Sequence, residues 1–128
     1  KFWYNAYHCL FFLDYYLTTE PVGFTPPAPF TLSEFIAGEF PDRVYTKQEL
    51  LDYLQYNRNK CRSVIAGLTE ETMHRRWINE SNSMNYPVLE MLLYNMRHVQ
   101  HHTAQLNLLL RRSINDAPGW VRHAKDGL

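Results

Sequence analysis

Net charge is missing from this sequence: 13 Lys and Arg balance 13 Asp and Glu over 128 residues. A chain without excess positive charge lacks the electrostatic footprint of a nucleic-acid or membrane-surface binder. Long apolar runs are missing too. The most apolar stretch, at the N-terminus, is interrupted by Asn5, His8 and Asp14, so it falls short of the roughly 18 to 20 uninterrupted residues of a membrane span. It is bulky and aromatic, and no small-x-small cleavage site follows it, which argues against a secretory signal. Cysteine is scarce. Cys9 and Cys61 do not form a C-x-x-C pair, so neither a redox motif nor a zinc-thiolate site is expected, and both read as reduced core thiols of a cytoplasmic protein. Glycine and proline number only five and seven, against 45% hydrophobic and 15% aromatic residues. That balance excludes a disordered segment and predicts one globular domain over residues 1–128.

What is present divides by its punctuation. Five of the seven prolines fall between Pro21 and Pro41, and no glycine occurs between Gly67 and Gly119. The first region is therefore a long loop, from about Glu20 to Tyr45, and the second is largely helical. Residues 1 to about 19 are too long an apolar run for a strand and predict a helix that is apolar nearly all round, one that must be central or covered by a partner. A second helix opens at the capping box Thr46-Lys47-Gln48-Glu49 and closes at Gly67. Thr69 caps a short helix with Glu70 and Glu71 in its first turn, and the polar stretch Asn79 to Asn85 follows. The last helix starts near Pro87 and runs to about Arg112, before an irregular tail that begins at Pro118-Gly119. Within the loop, Phe24, Phe30, Phe35 and Phe40 favour a segment packed on the bundle over a bare active-site wall. Thr31-Leu32-Ser33-Glu34 is a second capping-box match and predicts one or two helical turns there.

The last helix carries His98, His101 and His102. With His98 at zero on a helical wheel, His102 falls at about 40°, Asn95 at about 60° and Gln105 at about −20°, all on the buried face; His101, at about −60°, belongs at its boundary. Burying two imidazoles one turn apart is costly unless each is hydrogen-bonded, and a divalent metal gives both a reason to be neutral and to converge. The competing reading is a pair of core histidines bonded to Asn95, Gln105 or a tyrosine. His8 shifts the balance, because it lies within the apolar first helix, flanked on its own wheel by Tyr4, Phe12 and Tyr15. Three histidines from two helices form a facial triad with open positions, and imidazole suits zinc, nickel, copper and iron alike. Asp14 points about 120° away from His8 and is no ligand. Glu90, at about −80° from His98, is the nearest acidic residue on the last helix, so these helices put no carboxylate on the site. His74 and His123 read as solvated surface residues.

The run His98-Val99-Gln100-His101-His102-Thr103-Ala104-Gln105 resembles the H-x-x-x-H-x-G-Q pattern on the long final helix of the DinB/YfiT-like metalloenzymes, with Ala104 in place of the usual glycine and Thr103 at a position often taken by arginine. His8 matches the family's remaining histidine, on an earlier helix. The resemblance implies an all-α, up-down four-helix bundle with a divalent ion, zinc, nickel or iron, held by His8, His98 and His102. Family members carry a long helix before the one that bears the first histidine. This chain starts inside the latter, so the expectation is either a helix preceding Lys1 or a homodimer that covers the apolar first helix. Some relatives are thiol-dependent transferases or isomerases, which implies metal-assisted transfer of a low-molecular-weight thiol to an electrophilic small molecule, with hydrolysis second. The alternative is a non-catalytic metal-binding or structural bundle that acts through dimerisation. In the enzyme reading, Tyr4, Tyr15 or Tyr94 orients substrate or donates a proton, Gln105 or Asn95 steadies a ligand, and proton transfer falls to water, a tyrosine or His101, which does not bind the metal.

Overall fold

A computed structural model describes residues 1–123. The elements run α1 (Phe2–Leu17), a 3₁₀ turn (Ser33–Phe35), α2 (Lys47–Ala66), α3 (Glu70–His74), β1 (Arg76–Ile78), β2 (Asn85–Pro87) and α4 (Val88–Ile114). The protein is thus mostly helical, with three long helices and one short one among the described residues, and the expected α-only architecture gains a two-stranded antiparallel sheet in which Trp77 pairs with Tyr86.

The helix boundaries follow from local chemistry. At the start of α2, Thr46 Oγ1 accepts from the Glu49 backbone N–H while the Glu49 carboxylate accepts from the Thr46 N–H, and two of the helix's orphan donors are satisfied at once. Thr69 and Thr72 do the same for α3. The turn of the hairpin rests on Asn82, which takes the left-handed conformation at φ 56°, and on Asn79, whose side chain bonds Ser81, Ser83 and the Met84 N–H. Asn115, also left-handed, ends α4.

The first helix is central, as its lack of a polar face requires. Both α2 and α4 pack on it. Two buried asparagines brace it from either side: Asn57 of α2 donates to the Leu10 carbonyl and Asn95 of α4 to the Leu13 carbonyl. Asp14, fully buried, accepts from Tyr53 Oη at 2.9 Å and pairs with Lys60 Nζ at 2.5 Å, so a carboxylate that would be intolerable alone is satisfied by α2. The loop between α1 and α2 closes one end of this core. Phe30 stacks on Tyr53 at a ring separation of 4.2 Å and on Tyr7 at 5.8 Å, while Phe35 lies edge-on to Phe11, Phe12 and Tyr15. The loop is a packed strap, as its aromatics predict. A second apolar cluster, centred on Trp77, Tyr16, Val88 and Met91, ties the hairpin and α4 to the C-terminal end of α1, and Trp77 Nε1 donates to the Thr18 carbonyl.

Candidate metal centre

Packing α4 against α1 turns their two histidine-bearing faces toward each other. His98 and His102 are one turn apart on α4, with ring centroids 4.5 Å apart; His8 of α1 lies 4.6 Å from His102 and 5.7 Å from His98. One nitrogen from each ring can be chosen so that all three lie within 4.8 Å of one another. The cluster could hold a metal ion. Phe12 is wedged beneath it, 4.9 Å from His8 and 5.8 Å from His98 between ring centres.

Two of the rings are held by acceptors at Nδ1. His8 Nδ1 lies 2.5 Å from Glu34 Oε2, and His102 Nδ1 lies 2.9 Å from Gln105 Oε1. A carboxylate and an amide oxygen can only accept, so both Nδ1 atoms donate, which leaves Nε2 of each ring as the nitrogen available to a metal. Gln105 is held in turn, since Asn5 donates to its oxygen and its own amide N–H donates to His101 Nε2. His98 has the opposite situation: its Nδ1 is buried without a hydrogen-bond partner. Burial and then the neighbouring imidazoles His102, His8 and His101 pull its pKa down to about 4, and burial followed by His8 lowers that of His102, an effect the Gln105 bond opposes. Three half-buried imidazoles, two of them oriented by acceptors at Nδ1 and the third with an orphaned ring nitrogen, are a donor set that fits a divalent transition metal. No fourth histidine, cysteine or carboxylate joins the group among the described residues, and the His8 side chain keeps 29% of its surface exposed. The site is open.

The other expected participants divide. Gln105 reaches a ligand-bearing face, whereas Asn95 does not: it braces the α1 backbone, and its Oδ1 is buried without a partner. His101 is exposed and outside the cluster. Tyr4 packs against His8 at 6.4 Å, its hydroxyl pKa raised by burial and by Glu34. Tyr94 stands beside His98 at the surface and edge-on to Tyr16, whose own pKa burial and Tyr94 raise strongly. Tyr15 is turned into the core against Phe35 and Trp77. Asp14 belongs to the α1–α2 clasp, and His74 and His123 are exposed.

The helical phases left the loop out of account, and it is the loop that brings a carboxylate, Glu34, to the site. The Glu34 side chain is 3% exposed. The Thr31–Glu34 capping match yields a single 3₁₀ turn with no side-chain cap, because Thr31 Oγ1 bonds Ser33 and the Glu34 carboxylate goes to His8 instead of the backbone. The only sign of this in the sequence is an acidic residue amid aromatics that pack.

Comparison with curated proteins and with solved structures finds no match. The family model of the DinB superfamily matches residues 2–106, a span that holds His8, Glu34, His98, His102 and Gln105 as well as all three long helices up to the last turns of α4. The chain belongs to the DinB superfamily.

Proposed function

We propose that the protein is a divalent-metal-dependent enzyme whose ion is held by His8, His98 and His102, and that it transfers a low-molecular-weight thiol to an electrophilic small molecule. The observation that carries this reading is the convergence of three imidazoles, two of them oriented by acceptors at Nδ1, on a point that no fourth ligand among the described residues closes. A bound divalent ion supplies Lewis acidity, which favours the thiolate over the thiol. Thiol chemistry ranks above hydrolysis because a thiol begins near pKa 8.5 and water at about 15.7. The chain's own residues do the rest. Glu34 and Gln105 hold two rings in place. Tyr4 and Tyr16, with pKa values raised by burial, stay protonated and can donate but not abstract protons. His101, exposed at the edge, 5.1 Å from His102 between ring centres and bonded to Gln105, is a group that can take a proton from an entering thiol. Cys9 is not the nucleophile, since it is buried and its thiol is pushed up to about 11.

A second reading, a non-catalytic metal-binding bundle that works through dimerisation, is favoured by the apolar groove along α1 between α2 and α4, lined by Leu10, Leu13, Leu50, Leu54, Val99 and Leu106. The test separates the two. Protein loaded with zinc, nickel or iron is screened against electrophiles with several cellular thiols, beside His98→Ala. Turnover that the variant abolishes supports the enzyme; undiminished turnover in the variant sinks the metal mechanism, and ester or amide cleavage without thiol turnover reverses the ranking.

A further inference from the structure

Glu34 is an odd residue to bury. Its neighbours on the strap, Phe30 and Phe35, dock through aromatic contacts, and an apolar side chain at position 34 would pack as they do. Instead one carboxylate oxygen lies 2.5 Å from His8 Nδ1 and the other, Oε1, is buried with no hydrogen-bond partner. A half-satisfied buried carboxylate opposes folding, so general stability does not account for it. The strap also takes care to deliver it in a fixed place. Tyr7 Oη donates to the Thr31 carbonyl at 2.9 Å, Thr31 Oγ1 to Ser33 Oγ at 3.1 Å, and the 3₁₀ turn sets Glu34 directly after buried Ser33.

We propose that Glu34 is a positioning residue of the metal centre and that the strap carrying it docks more firmly when the metal binds. The proposal rests on the reading that His8, His98 and His102 hold the ion. When the His8 Nε2 lone pair is given to a cation, the Nδ1–H becomes a stronger donor and its bond to a carboxylate strengthens. Cation and carboxylate then share one imidazole, with His8 the link between them. Binding linkage makes the effect reciprocal: a docked strap tightens the metal, and the metal tightens the strap by the same factor. The strap, residues 18–46, is thereby part of the metal site and not only a cover for the aromatic core.

The experiment uses the full chain and zinc alone as the probe. Zinc affinity is measured by competition with a chromogenic chelator for wild type, the near-isosteric Glu34→Gln and His98→Ala, and hydrogen exchange of residues 31–40 is followed with and without zinc. Glu34→Gln is expected to weaken zinc about 10- to 100-fold while saturating at the same stoichiometry, and zinc should slow exchange of the strap in wild type but not in the variant. If wild type binds zinc through His98 and Glu34→Gln binds within about threefold of it, the positioning role is overturned and the metal site stands. If wild type binds no more zinc than His98→Ala, the metal reading fails and the proposal with it. A readout independent of any variant is the His8 tautomer: imidazole nitrogen spectra of zinc-loaded wild type should show the proton on Nδ1, and a proton on Nε2 would overturn the assignment even if Glu34→Gln did not fold.

Discussion

A residue's helical phase reveals what its neighbours in sequence conceal. His98 and His102 could be paired because an i, i+4 spacing turns them about 40° apart, and His101 could be set aside because its i, i+3 spacing turns it to about −60°. His8 could be added because a polar ring within an apolar helix must find a partner. The same reasoning had no purchase on Glu34: a loop has no period, and the local pattern around it pointed to a helix cap. It also misjudged Asn95, which shares the phase of the histidines but lies one turn nearer the start of α4, at the level of Leu13 and not of His8. Phase fixes direction, and depth along the helix needs the partner helix. The separation of His101 from His102 predicts a measurable contrast. In His101→Ala, Gln105 loses one acceptor and keeps its bond to His102, so zinc content per chain should match wild type in elemental analysis. In His102→Ala one of three ligands is gone, and bound zinc should fall to background. Loss of zinc from the His101 variant would mean that the ligand set is wrong.

At the scale of elements, the long helices were legible because an apolar run too long for a strand marks α1 and apolar periodicity over 20 and 27 residues marks α2 and α4. The hairpin was not legible. Strands of three residues offer a single alternation, and their pairing is set by a turn whose Asn and Ser residues form a mutual hydrogen-bond network visible only in three dimensions. Of the two capping-box matches, Thr46-Lys47-Gln48-Glu49 forms its box as written and Thr31-Leu32-Ser33-Glu34 does not. Glu49, held by Arg43 as well as by the box, gives this end of α2 a pH dependence. Bonds from Arg43 first, and then from the Thr46 backbone N–H, hold Glu49 down to about 2, whereas in the unfolded chain it titrates near its ordinary value of about 4.3. A carboxyl whose folded pKa is depressed stabilises the fold above the unfolded value, and this contribution is lost as pH falls through the folded one. Wild type should therefore melt higher than Glu49→Gln at pH 5, with the gap closing toward pH 2. Thr46→Ala, which removes the reciprocal half of the box, should cost about 1 kcal/mol at neutral pH in chemical denaturation. A gap that stays constant from pH 5 to pH 2 would show that the ionised Glu49 does not stabilise this helix end.

At the scale of the whole molecule, the central helix is flanked on two sides by α2 and α4 and on a third by the strap, and the remaining side is the apolar groove. Two cavities of about 530 and about 500 Å³ run along it, sharing Leu13 and Val99 in their walls. The rims carry apolar side chains in the open, with Leu51 46%, Leu93 52% and Met96 53% exposed. Scattered exposed leucines are ordinary, but a continuous strip from three helices marks a face that seeks cover. The groove's walls include none of the three histidines, of which His8 turns instead to Glu34 of the strap. Covering the groove and holding a metal are therefore separable. Pairing of two copies through this face predicts a dimer mass in sedimentation equilibrium at micromolar concentration. Leu51→Glu combined with Leu93→Glu should shift it to monomer, because each carboxylate would have to be desolvated at the interface. Zinc bound per chain should not change in that double variant, since neither residue touches the imidazoles. A wild-type chain that sediments as a monomer would remove the dimer, whereas a double variant that becomes monomeric and also loses its zinc would mean that the two copies complete one another's metal sites.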